Sequence, residues 1–523
     1  MPMPFYDEEF TFTQPDGTKI RVRGTGDQDS AVFETLDGYT IVRDDRSGYF
    51  HYAKLNDDAG ELLPLAPRVG IDVRPSGLAS KLRPKTASRS AAGNLPQTAW
   101  QTRIAARKAA IVASGVAPQR SVTGSYVGLC LLVDFPGAPN EDPVPGTIAQ
   151  HEVDRFCNER GYTGFQNKGS VRDYFEAVSD RKLDYTNIVT PWYTAKKPRS
   201  YYANDNVEDQ DHHLARELVE EALTHLVSSG FDAGALTTDS DHYVVAVNVF
   251  YAGTRTNSWS RSLWPHQGTL RHRLQLGPNK IARDYQMTDM TDELSLGTFC
   301  HENGHLIGDF PDLYDKTPFK SKGIGEFCLM CSGDKKPHHK SPLQIGAYLK
   351  YQAGWTSALH TMTPGTTISL RAGRNEFAIW RNSKSPTEYL IVENRQNAGQ
   401  DAGIPSSGLA VWHVDERVQG NNDEQMTATN HFECSLLQAD GKYDLEHGRN
   451  SDAQDLYRAG EISDTSAPHC KWWDGSNSGL HIRGIRQDGD TTTFTVVPAA
   501  KRFRFRAWLA RWSGMRRGSP APK

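Results

Sequence analysis

The chain has no run of about 18 apolar residues, so no bilayer-spanning helix is expected. Its start, Met1-Pro2-Met3-Pro4-Phe5-Tyr6-Asp7-Glu8-Glu9, lacks a basic segment followed by an apolar one, so no secretory signal is recognisable there. Charge of one sign is lacking too: 59 Lys and Arg against 63 Asp and Glu leave a net −4, which gives no footprint for nucleic acid. Cysteine is sparse, and the odd count of 7 leaves at least one thiol unpaired. Hydrophobic residues, at 37%, are somewhat few and glycine, at 45, is frequent, which suits a loop-rich, water-soluble chain. A length of 523 residues holds roughly two to four domains.

What is present is His301-Glu302-Asn303-Gly304-His305, an H-E-x-x-H pattern. On a helix, residues i and i+4 share one face, so both imidazoles can reach a single zinc ion. Glu302 lies beside that face, where it can take a proton from water and later hand it to a leaving amine. The segment Asp292 to Cys300 carries acids early and apolar residues late, as expected of a helix with carboxylates near its positive end. Gly308, three residues past His305, is where that helix should stop.

A catalytic zinc site takes three protein ligands and keeps one position open. Asp312 is the expected third, with Asp309 and Glu326 as alternatives. The extended pattern H-E-x-x-H-x-x-G-x-x-H/D places a ligand three residues after the glycine; here that position is Pro311, and Asp312 is one further on. Glu326 sits in Gly323-Ile324-Gly325-Glu326-Phe327, where the glycines argue against a second helix. Met330, within Leu329-Met330-Cys331-Ser332-Gly333, reads as an apolar floor under the metal. Cys328-x-x-Cys331 around it reads as buried thiols rather than a redox pair.

These segments resemble the immune inhibitor A family of metallopeptidases, a metzincin-type group. The likeness rests on His301 to Asp315, on Gly323 to Gly333 with Ala347-Tyr348-Leu349-Lys350 and Gly354-Trp355, and on Gly169 to Phe175 and Trp264-Pro265-His266 upstream. Glu388 to Arg395 and Gly408 to Asp415 are similar to the family's region after the catalytic domain. The resemblance implies zinc-dependent endopeptidase activity on protein or peptide substrates, with His301, His305 and Asp312 as metal ligands and Glu302 as catalytic base. It also implies a secreted protein made as a precursor.

The expected fold class is α+β and multidomain: a zincin-like α/β catalytic domain, a small N-terminal β unit and a C-terminal β-sandwich. Residues 5–73 read as the β unit, with turn signals at Pro15-Asp16-Gly17-Thr18 and Asp44-Asp45-Arg46-Ser47-Gly48. They are either a pro-region, as the resemblance implies, or an attached structural domain. Residues 74–121 form a basic, exposed linker with a helix near Thr102 to Ala113 and a site for activating cleavage. Residues 122–358 alternate strands, such as Tyr126 to Asp134, Leu183 to Val189 and Tyr243 to Tyr251, with helices at Ser170 to Val178 and His213 to Ser228. An edge strand beside the metal would hold an extended peptide by backbone pairing. Residues 359–498 carry many short strands, and residues 499–523 form a basic tail with scattered aromatics, a surface for anionic partners or a frayed end. His413 reads as structural. Calcium is raised as a second cofactor by Asp239-Ser240-Asp241, Asp440-Gly441 and Asp452 to Asp455. The competing function is a catalytically inactive binding or adhesion protein on a metalloprotease scaffold.

Overall fold

The structure, a computed structural model, describes residues 5–26, 31–44, 46–57, 61–83, 99–114, 121–203, 213–254, 263–315, 321–335, 337–418, 420–421 and 426–498. The tail after residue 498, and Pro84 and Pro96 of the linker, lie outside these residues.

Six strands open the chain: β1 (Phe5–Thr13), β2 (Lys19–Gly26), β3 (Ala31–Thr35), β4 (Thr40–Arg43), β5 (Phe50–Leu55) and β6 (Leu62–Arg68). Each pairs antiparallel with the next in one sheet. Alternation in β2 buries Ile20 and Val22. With Phe5, Phe10, Phe12 and Phe33 they form a cluster that also encloses Trp264, a residue of the next domain. The Phe5 and Trp264 ring centroids are 5.3 Å apart.

The linker departs from the sequence expectation. Its helix α1 (Ala99–Ser114) buries Ile104 and Ile111 rather than standing free in solvent. Then come β7 (Gly124–Asp134), α2 (Gln150–Asn158), α3 (Val171–Val178), β8 (Leu183–Thr194), α4 (Arg199–Tyr202), α5 (His213–Ser228), β9 (Val247–Ala252), β10 (His266–Gly277) and β11 (Lys280–Met290). Helix α3 starts where Ser170 and Asp173 form a reciprocal capping box. The five strands run β10-β11-β9-β7-β8, all parallel except the edge strand β10. Strand β9 is shorter than its apolar run suggested, because Tyr243 and Val244 make only isolated bridges.

Both faces of this sheet are covered, which is why β7 and β9 are mostly apolar, with Asn248 the exception in β9. Leu129, Leu131, Val133, Val247 and Val249 pack with Leu218, Val219, Ala222 and Leu223 of α5. Cys130, Leu132 and Phe250 point to the other face, against α2, α3 and α6 (Leu296–Gly308).

After α7 (Ala347–Gln352), nine strands form two sheets: β12 (Ala358–Thr361), β13 (Thr367–Arg371), β14 (Glu376–Arg381), β15 (Glu388–Arg395), β16 (Gly408–Asp415), β17 (Cys434–Leu436), β18 (Ile462–Ser463), β19 (His481–Asp488) and β20 (Thr491–Val496). Their orders are β12-β14-β15-β16-β17 and β13-β20-β19-β18. Tyr389, Ile391, Ala410, Trp412 and Val414 face the core shared with α6. Leu390, Val392, Leu409 and Val411 face Leu370, Ile482, Phe494 and Val496 of the second sheet. Every residue of β15 and β16 is therefore buried. The protein is a mixed α/β chain built on several sheets. No helix among the described residues is long and apolar enough to cross a membrane.

Candidate metal centre

Helix α6 begins at Leu296, later than the acids suggested, so Asp292 and Glu293 lie before its first turn. Ser295 stands at the N-cap position but spends its hydroxyl on the carbonyl of His339. The helix ends at Gly308, and Asp309 takes the left-handed conformation (φ 49°) that reverses the chain. Placing this turn one residue beyond the glycine absorbs the extra residue before Asp312.

The reversed segment brings Asp312 under the two imidazoles. Asp312 Oδ1 is 3.2 Å from His301 Nε2 and 3.2 Å from His305 Nε2. All three side chains are buried, and one donor atom from each lies within 4.8 Å of the others. The ring centroids are 5.0 Å apart at 79°. Each Nδ1 lies against a backbone carbonyl: His301 at 3.0 Å from Leu329 O, His305 at 2.6 Å from Phe310 O. A carbonyl can only accept, so each Nδ1 carries the proton and each Nε2 presents its lone pair inward.

The turn around Met330 braces the centre from below. Leu329 O takes the His301 contact, and Met330 O accepts from Leu313 N at 2.8 Å, holding the loop segment that carries Asp312. Met330 is fully buried, and a Cβ on Gly304 would stand 2.6 Å from its sulfur. The glycine inside H-E-x-x-H therefore serves the close approach of this floor. Burial pushes the flanking thiols up, Cys328 to about 11 and Cys331 to about 12, so neither is a reactive thiolate. All seven cysteines are free and buried.

Glu302 is fully buried beside the imidazoles, and neither carboxylate oxygen has a hydrogen-bond partner among the described residues. Burial raises its pKa above the ordinary range, against the opposing pull of His301 and His305. For His301, burial opposes the charge, but Asp334 and Asp312 raise its pKa overall. Asp334 sits 3.7 Å from His301 Nδ1 and pairs with Lys335 at 2.7 Å. No sequence motif pointed to Asp334; only the fold brings it there. A cleft of about 660 Å³ opens on this side, lined by Thr298, one turn before Glu302 on the same face, and by Asp289, Lys322, Asp334 and the strand β1 residues Phe5 and Asp7.

The other sequence candidates sit elsewhere. Asp309 is held by Arg103 of α1 at 2.9 and 2.7 Å. Glu326 contacts His338 at 3.3 Å. His413 lies 2.9 Å from Glu388 and stacks on Trp473, as a structural histidine would. Asp239 accepts from the backbone of Asp241 and Tyr243, a closed polar turn. Asp440, Asp444 and Asp452 do come together, with one oxygen each within 4.8 Å of the others.

Helix α1 spans the front of the molecule. Besides Asp309, Arg103 reaches Asp284 of β11 at 3.3 Å; Arg107 meets Glu416 at 2.9 Å and Lys108 meets Glu433 at 3.0 Å. It thereby links the central sheet, the end of α6 and the C-terminal strands.

The class to which this framework is similar is that of the metallopeptidases. Residues 129–242, from β7 to the loop before β9, match the family described as immune inhibitor A peptidase M6, catalytic domain. The match covers β7, β8 and the helices α2 to α5, including the Gly169 to Phe175 stretch of the sequence resemblance; β9 to β11 and α6 lie beyond it. Among curated relatives, the pre-pro-metalloprotease PrtV of two Vibrio cholerae serotype O1 strains, M66-2 and El Tor Inaba N16961, is 25% identical over 247 residues. That alignment covers 39% of this chain and 27% of PrtV, so the chain spans about a quarter of the length of these relatives.

Proposed function

We propose that the chain is a zinc-dependent endopeptidase in which His301, His305 and Asp312 hold the metal and Glu302 is the general base and acid. The observation that carries this reading is the convergence of two inward lone pairs and one carboxylate oxygen at a buried point. That donor set suits zinc, and its number leaves a position open for substrate. When bound, zinc supplies a Lewis acid that lowers the pKa of water and polarises the scissile carbonyl.

Glu302 supplies the rest of the proton traffic. Burial raises its pKa above the ordinary carboxylate range, which makes it a stronger proton acceptor than an exposed glutamate. It takes the proton of the attacking water and returns it to the departing amine. Strand β10 is the antiparallel edge strand of the sheet, and pairing of its backbone with an extended peptide would favour weak sequence specificity.

Residues 122–358 form the zincin-like catalytic domain in this reading, and residues 359–498 a β-sandwich. Residues 5–73 and the linker 74–121 are a pro-region: Phe5 and Asp7 line the same cleft as Thr298 of α6 and Asp334, and α1 straps the two halves together. In this reading the precursor is secreted; PrtV is a pre-pro-metalloprotease. The inactive-scaffold alternative has to account for Glu302, a buried carboxyl without partners, which costs on the order of 1–3 kcal/mol when no chemistry uses it.

The test compares wild type and Glu302→Gln after limited proteolysis of the basic linker. Wild type should cleave casein and lose this with a chelator; the variant should keep its zinc and its fold but lose cleavage by about 10³-fold or more. Cleavage retained by Glu302→Gln defeats the assignment.

A further inference from the structure

A helix usually packs on a sheet through apolar side chains, as Phe299 of α6 does on Phe250; beside these contacts α6 also meets its sheet through a buried polar network. Asn303, inside the H-E-x-x-H motif and wholly buried, points at the strands. Its Nδ2 donates to Phe299 O at 2.9 Å and to Asn248 Oδ1 at 2.8 Å, and its Oδ1 accepts from the Tyr185 hydroxyl at 2.6 Å. Asn248 Oδ1 accepts again from Gln286 Nε2 at 2.9 Å, and Asn248 Nδ2 donates to Asn187 Oδ1 at 2.8 Å. Gln286 Oε1 in turn accepts from Thr288 at 2.8 Å. The members come from β8, β9 and β11: Tyr185 of β8 and Asn248 of β9 grip the helix residue directly, and Gln286 of β11 braces Asn248.

The amide orientations follow from carbonyls that can only accept. Phe299 O requires the nitrogen of Asn303 on its side, and Leu129 O, 3.3 Å from Asn248 Nδ2, requires the same of Asn248. Tyr185 has one hydroxyl proton; the shorter contact, 2.6 Å to Asn303 against 3.1 Å to Asn187, assigns it to Asn303.

We infer that Asn303, held by Tyr185 and Asn248, is a positioning residue that fixes the rotation of α6 and so aims His301, Glu302 and His305. This rests on the metal-site reading given above. Apolar contacts tolerate small slides, whereas hydrogen bonds are directional and, once buried, cost free energy when broken. A twist of about 10° about the helix axis moves an atom about 6 Å off axis by about 1 Å, enough to spoil a metal site. Asn303 adjoins Glu302 in sequence, so its anchoring acts within one turn of all three groups.

The test uses the full chain and zinc alone, read by competition with a chromophoric chelator and by the visible spectrum of the cobalt-loaded protein. Tyr185→Phe removes one hydroxyl and should fold; its zinc Kd should rise about 3–10-fold, and that of Asn303→Leu about 10–100-fold, both with altered cobalt bands. The double variant should be no weaker than Asn303→Leu alone, because both break one bond. Phe156→Leu, which thins the apolar packing beside Phe299 without touching the network, should lower the melting temperature and leave zinc Kd within about twofold. If wild type binds no zinc, the metal-site reading falls and takes this inference with it. If wild type binds zinc but Tyr185→Phe matches it, or weakens no more than Phe156→Leu, the positioning role is overturned while the metal site stands. Should Asn303→Leu not fold, Tyr185→Phe decides.

Discussion

Gly297→Ala sets two effects against each other in the first turn of α6. Replacing a helical glycine by alanine ordinarily gains about 1 kcal/mol, through helix propensity and a less flexible unfolded chain. At this position, however, the new Cβ would stand 2.2 Å from the carbonyl oxygen of Asp334 and 3.0 Å from His339 Cα. Ordinary contact begins near 3.4 Å, and the obstacle is backbone rather than the end of a flexible side chain. The 334–339 segment must therefore retreat by about 1 Å, an overpacking cost of about 1–3 kcal/mol or more. The clash wins by up to about 2 kcal/mol, which lowers the melting temperature by up to about 8 °C. The same retreat carries the Asp334 carboxylate, now 3.7 Å from His301 Nδ1, away from the ring it orients. Urea unfolding with and without chelator gives the stability change, and chelator competition gives zinc affinity. A midpoint at or above wild type would refute the reasoning, since it would make Gly297 only a weak helix former.

Three further outcomes follow from the charges. In chelator-treated protein, Glu302→Gln should unfold at higher urea than wild type at pH 7: a carboxyl whose folded pKa is raised by burial loses stability as pH rises above its unfolded value, and the advantage should shrink toward pH 4. Equal midpoints across that range would show that burial of Glu302 has no such cost. Asp455, pushed up to about 7 by burial and then by Asp452, Asp440 and Asp444, behaves alike. Asp455→Asn should exceed wild type by about 2 kcal/mol above pH 7, after discounting for solvent screening, and match it near pH 4; a pH-independent difference counts against the linkage. Replacing Arg103, Arg107 and Lys108 together by Ala should speed trypsin cleavage of the remaining linker basics by about 10-fold or more, and 1 M salt should partly imitate it in wild type. An unchanged cleavage rate would show that α1 is held by Ile104 and Ile111 alone.

Local features were readable where their signal was local. The helical placement of the i, i+4 histidines, the helix beginning at Ser170 and the turn before β2 all depend on neighbours in sequence, and the structure has each element there. The sequence left Asp312, Asp309 and Glu326 open as the third carboxylate, and the reach of Asp312 toward the histidines was hidden because a glycine count assumes that the turn falls on the glycine. Here Asp309 takes the left-handed turn, and Arg103 fixes its side chain from the linker. The docking of α1 was hidden for a different reason. An Ala-rich basic helix looks solvated until its cations find carboxylates some two hundred or three hundred residues away, such as Asp309 and Glu416. Asp334 and the Asn303 network were hidden likewise, since polar residues in strands signal a solvent face by pattern alone.

That last failure has a physical meaning. Asn187, Asn248 and Gln286 break the apolar rule on strands whose neighbours obey it, and all three converge on the helix that carries the candidate centre. Local disagreement with the expected pattern is where a fold gives up stability for geometry. An apolar seam under α6 would have bound the helix as firmly, but it would have left its rotation less determined. The directional contacts lie under the one helix whose angular placement the proposed chemistry needs.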